Sequence, residues 1–189
     1  MKRFLLGLIL GLLIVPAVAW GYLRFGHPPV AVADPPFPFE KQIVKAPLRA
    51  RIDSEMPASA PIGATPENLI AGAQIYREQC AACHGLPGHE SSFGGHMYPH
   101  APQLFHSHRS GVVGVSDDPV GETYWKVANG IRLTGMPSFD KVLGPTPMWQ
   151  VSLLLKNANQ TLPGTAVQML QAPLDFDAPA AAPAAKSPR

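Results

Sequence analysis

The sequence predicts a small all-α domain with long loops, behind an apolar N-terminal helix and a proline-rich stalk. Three observations predict it. Segments with helical periodicity fall at about 66–80, 119–129 and 147–158. No stretch of useful length alternates apolar and polar residues as a strand would. The flanks differ in composition, since residues 4–23 carry no charge, 28–64 hold eight prolines, and 163–189 end in a run of alanine and proline. The chain therefore reads as a membrane anchor or signal peptide (1–24), a Pro-rich stalk (25–64), a folded domain (65–162) and an Ala/Pro-rich disordered tail (163–189).

As a helix, residues 4–23 would span about 30 Å, the thickness of a bilayer core. Lys2 and Arg3 precede the run, which favours an inside N-terminus and places everything after Arg24 outside. Ala17-Val18-Ala19 fits a leader cleavage pattern. The apolar run continues past it to Leu23, which favours an uncleaved anchor, and both readings export the domain. Dense proline removes donors and fixes φ, so the stalk is expected to lack regular structure apart from a weak helical pattern near Lys41–Arg51.

Each domain helix is expected to open with a capping residue before a proline: Thr65-Pro66, Asp118-Pro119 and Thr146-Pro147. The first helix puts Leu69, Ala73, Tyr76 and Cys80 on one face, and the second Val120, Tyr124, Val127 and Ala128. The third is apolar on more than one face, so burial is expected. Between the first two runs a loop rich in glycine and histidine. Within 65–162 six basic residues meet seven acidic ones, so no basic patch invites nucleic acid.

The chain has two cysteines, both in Cys80-Ala-Ala-Cys83-His84-Gly85. A disulfide inside C-x-x-C would close a tiny strained loop. A redox dithiol needs alternating strands and helices, which the pattern lacks. A zinc site needs a fourth ligand beyond Cys80, Cys83 and His84, and zinc patterns do not place histidine directly after C-x-x-C. C-x-x-C-H is the signature of covalent haem attachment. On a helix the two thiols stand one turn apart, facing the same way toward two vinyl groups, and His84 projects toward the iron. Among six methionines, Met136 stands out as a sixth ligand. It lies in GIRLTGMPSF, residues 130–139, where Pro137 restricts its backbone and Gly130 and Gly135 permit close approach. Met97 follows His84 so closely that it would have to loop back.

CAACHG at 80–85, Ala101-Pro-Gln-Leu104, the GIRLTGMPSF loop and a terminal helix with Trp149 occur in this order. Here the chain resembles a class I, mono-haem c-type cytochrome in its membrane-anchored form. The resemblance covers about 65–162. It implies one covalent haem c per chain, with thioether links at Cys80 and Cys83 and axial ligands His84 and Met136. It also implies that the Pro102 carbonyl accepts the Nδ1–H of His84, and that Gly72 and Tyr76 lie where the first helix crosses the last. The chain departs from the pattern in its long loop with His89, His96, Met97 and His100, expected to be a solvated insertion; the competing reading is ligand switching or a metal site. Trp125 and Phe139 are expected at the haem edge or in the core, and Arg132 is a candidate partner for a propionate.

The expected function is one-electron transfer on the periplasmic side of the cytoplasmic membrane, with no catalytic residue. Redox partner proteins would dock through a small interface with little electrostatic steering. Two alternatives stand beside it: a cytochrome subunit of a membrane dehydrogenase or oxidase complex, and a haem peroxidase or gas sensor, which needs an open sixth position.

Overall fold

A computed structural model describes residues 2–108 and 111–174. Among them are eight helices and no strand: α1 Lys2–Phe25, α2 Glu40–Glu55, α3 Pro66–Gln79, α4 Ala81–His84, α5 Ser92–Gly95, α6 Val120–Asn129, α7 Pro145–Lys156 and α8 Gly164–Gln171. The chain divides into two compact units, at Lys45 and Ala46. In the first, α1 has 24 residues, none buried, and a mean hydropathy of 2.4 over its most apolar window. At 1.5 Å per residue it is about 36 Å long, enough to cross a bilayer core. Length and composition make it a candidate anchor.

In the second unit α3 and α7 cross at the centre. Gly72 makes the crossing close, because a β-carbon there would stand 2.8 Å from the Gln150 carbonyl carbon. Ala73, Tyr76, Val151 and Leu154 are fully enclosed around it. As its pattern predicts, α7 is buried on several faces, and Trp149 stacks on Tyr124 of α6 at 4.0 Å between ring centres.

Two helices begin differently from the sequence expectation. Thr65 caps α3 as expected, its Oγ1 accepting from the Asn68 N–H at 3.4 Å. Asp118 does not cap α6; Pro119 precedes that helix, and the Asp118 carboxylate faces Lys126 Nζ at 3.5 Å. Helix α7 starts at Pro145 after Gly144, so Thr146 lies inside it. Both Pro145 and Pro147 then fall in the first turn, where an absent N–H costs no helical bond.

The flanks carry more structure than their composition suggests. The expected stalk contains α2, which includes the weak helical pattern near Lys41–Arg51 and whose residues from Ala46 onward belong to the second unit. Ile52 is 2% exposed. Glu55 Oε2 accepts from Trp125 Nε1 at 2.9 Å, and Arg49 reaches the buried Glu122 carboxylate at 3.2 Å. Pro47 forfeits one helical bond, which these contacts offset. Ile52→Ala is expected to cost about 2–4 kcal/mol in denaturant unfolding; a loss under 0.5 kcal/mol would mean that α2 rests on the domain without supporting it. The expected tail opens with α8, which buries Ala166 and Leu170 and packs on α3. Arg77 of α3 donates to the carbonyls of Met169, Ala172 and Pro173, satisfying acceptors at the α8 end. The rest of that tail, from residue 175, lies outside the described residues.

Candidate functional site

The CAACH motif is set by a break between helices. Cys80 ends α3, its N–H still donating to Tyr76 O at 2.9 Å, and α4 begins after it. The N–H groups of Cys83 and His84 both donate to the Cys80 carbonyl, at 3.1 and 2.9 Å. One helical turn therefore separates the two cysteines, as the spacing predicts. Both thiols are free rather than bridged. Burial, with a smaller contribution from Cys83, pushes the Cys80 thiol up to about 12, so it stays protonated at neutral pH.

Two anchors hold the end of this turn. The Tyr76 hydroxyl, wholly enclosed, donates to Gly85 O at 2.8 Å and approaches His84 O at 3.2 Å. Gly85 has φ of 70°, and a β-carbon there would stand 2.6 Å from the His89 carbonyl oxygen. His84 Nδ1 lies 2.7 Å from Pro102 O. A carbonyl only accepts, so Nδ1 carries the proton and Nε2 keeps its lone pair. Burial lowers the His84 pKa and the Pro102 bond opposes it, so the neutral ring, the form that ligates a metal, is favoured. Pro102 is fixed in turn by Ala101 N–H to Gly94 O at 3.1 Å and Leu104 N–H to His84 O at 3.3 Å.

Met136 comes from the other side of the sequence. Gly130 ends α6 with φ of 66° and packs against the Met136–Ser138 backbone. The Met136 N–H donates to Thr134 Oγ1 at 3.1 Å, and its carbonyl accepts from Ile131 N–H at 3.2 Å. Phe139 N–H returns to Val127 O at 3.0 Å, closing the loop on α6. The loop thus satisfies its own polar groups and leaves the thioether for other contacts.

Cys80, Cys83, His84, Pro102 and Met136 line one cavity with about 1090 Å³ of empty space, open solvent at its mouth included. Its wall is apolar, with Leu104, Val127, Phe139, Val151 and Leu155. Two thiols on one turn, an imidazole with its outer nitrogen tied, and a thioether around an apolar cavity form a donor set that fits a covalently held haem. Among the described residues no three His, Cys, Asp or Glu side chains converge as a metal site of their own, so a four-ligand zinc clip is not assembled.

Other expected residues lie elsewhere. Phe139 lines the cavity, whereas Trp125 turns to α2. Arg132 is exposed and is not part of the wall; Lys126 is, although Glu122 holds it at 2.7 Å. The histidine-rich loop is tied down: Ser91 N–H donates to Gln103 Oε1 at 2.8 Å, and His96 Nδ1 lies 2.7 Å from Ser92 O. Met97 and His100 line the cavity as well. Sequence spacing set Met97 aside, and Gly135, read there as a residue that permits close approach, is where its side chain packs.

Comparison with known proteins places the chain among haem proteins. Residues 67–153 match the family model described as cytochrome c oxidase, cbb3-type, subunit III. A quinohemoprotein alcohol dehydrogenase, ADH IIB of Pseudomonas putida, is 28% identical over 110 residues. The match covers 57% of this chain and only 13% of that relative.

Proposed function

Since residues 67–153 are a mono-haem c-type cytochrome domain, which carries haem c covalently and transfers electrons, we propose that this chain relays single electrons on the outer face of the cytoplasmic membrane with His84 and Met136 as axial ligands. The observation that carries the reading is an apolar cavity lined together by Cys80, Cys83, His84 and Met136. Bound haem supplies an iron that alternates between ferric and ferrous. Cys80 and Cys83 would hold the group covalently through their sulfur atoms. The Pro102 carbonyl holds the His84 ring and strengthens its donation through Nε2. With haem bound, the Met136 sulfur and the apolar wall would both favour the less charged, ferrous state. In this reading no side chain does chemistry on a substrate, and the chain exchanges electrons with redox partner proteins.

Helix α1 supports membrane attachment, with Lys2 and Arg3 on the inner side. The expected result is that haem c stays with salt-washed membranes and moves to the soluble periplasmic fraction when residues 1–24 are replaced by a cleavable leader. Haem c already soluble with the native N-terminus would overturn the anchor.

A second reading makes the chain a subunit of a larger redox complex. The matched names favour it, one being an oxidase subunit and the other a dehydrogenase. After purification in mild detergent, a lone 20.2 kDa haem protein would sink that reading, and co-purification with a redox enzyme would support it.

A further inference from the structure

Met97 is fixed at both ends. Its N–H approaches Gly94 O at 3.4 Å, and the Ala101 N–H donates to the same carbonyl at 3.1 Å. Gly94 itself sits on the CAACH turn, because a β-carbon there would overlap the Cys83 carbonyl oxygen. The side chain reaches to the loop that carries Met136. A β-carbon at Gly135 would overlap Met97 Cε and lie 3.4 Å from its Sδ. Gly135 has no positive φ, so what its missing side chain provides here is space for Met97.

The 130–137 loop spends its polar groups internally, through the Thr134, Ile131 and Met136 bonds. Hydrogen bonds at Ser138 and Phe139 tie the far end of the loop to α6, and toward residues 94–101 the contact is the apolar one between Gly135 and Met97. An unbranched thioether side chain suits such a gap. We propose that Met97 is a positioning residue for Met136: it packs into the notch left by Gly135 and joins the Met136 loop to the segment that carries Cys83 and Pro102. It acts on the iron only through Met136, and so rests on Met136 being the sixth ligand.

The test uses the membrane-bound holoprotein and two readouts, the thioether-to-iron charge-transfer band of the oxidised form and carbon monoxide affinity of the reduced form. Carbon monoxide must displace Met136, so a looser loop binds it more tightly. Met97→Ala is expected to raise carbon monoxide affinity about tenfold. Met97→Leu, which refills the notch, restores nearly wild-type affinity. Gly135→Ala displaces the Met97 methyl and reproduces the Met97→Ala effect, and the double variant goes no further than either single one. Wild-type affinity in Met97→Ala, or independent addition of the two changes, would overturn the proposal. A thioether band that survives in Met136→Ala and disappears in Met97→Ala/Met136→Ala would overturn it too, by making Met97 a ligand itself. A wild type without any thioether band would overturn the Met136 assignment first, and this proposal with it.

Discussion

Met136→Ala is expected to abolish the thioether-to-iron band and to lower the midpoint potential by on the order of 100 mV, a fraction of the roughly 0.8 V over which axial ligands tune haem proteins. The sign follows from the donor. A thioether is soft and uncharged and stabilises ferrous iron, so its loss favours the ferric state. The domain itself should survive the change. The loop's hydrogen bonds involve the Met136 backbone and Thr134 Oγ1, which alanine leaves in place. The reduced variant should also bind carbon monoxide readily, because loss of the proposed ligand would open the sixth position. Optical spectra and a redox titration of wild type and variant decide the matter. An unchanged band and potential would remove Met136 from the iron and move attention to Met97 and His100, the other donors that line the cavity.

How much of this was legible depends on the range of the contact. The haem-binding motif is local: two thiols and an imidazole within five residues, on a turn whose geometry the spacing dictates. The Met136 loop is nearly as local, because Pro137 and Gly130 shape it from either side. Pro102 was reached only through resemblance, since nothing in Ala101-Pro-Gln-Leu104 alone points to His84. The α2 contact was hidden by composition. A stretch with eight prolines reads as unstructured apart from a weak helical pattern near Lys41–Arg51, and one buried isoleucine and one Glu55–Trp125 bond leave no trace of the packing. Helix α8 was hidden likewise, since its anchor is Arg77, over 90 residues earlier in the chain. Met97 was set aside by counting residues from His84, whereas its side chain meets a glycine near the other end of the domain. Pairings between distant segments are what one sequence conceals.

The α3–α7 crossing shows how fold and site depend on one another. Gly72→Val should lower the unfolding free energy by about 3 kcal/mol, a large part of the roughly 5–15 kcal/mol that holds a domain. A β-carbon there meets the Gln150 backbone at 2.8 Å and Leu154 Cβ at 3.1 Å. The first obstacle is main chain and cannot turn aside, so the helices must part. Gly164→Ala is the matching control: that position has open space around it and no positive φ, and the change should stay within about 0.5 kcal/mol. Denaturant unfolding of the two variants makes the comparison, and a Gly72→Val loss below 1 kcal/mol would mean that the crossing has slack. The consequence reaches the haem cavity. Tyr76 is one turn beyond Gly72 on α3, and its hydroxyl holds the carbonyls of His84 and Gly85. Parting the helices carries Tyr76 away from those carbonyls and frees the end of the CAACH turn. Gly72→Val should therefore weaken His84 ligation as well as the core, whereas Ile52→Ala, at the far α2 contact, should cost stability and leave the haem spectrum unchanged.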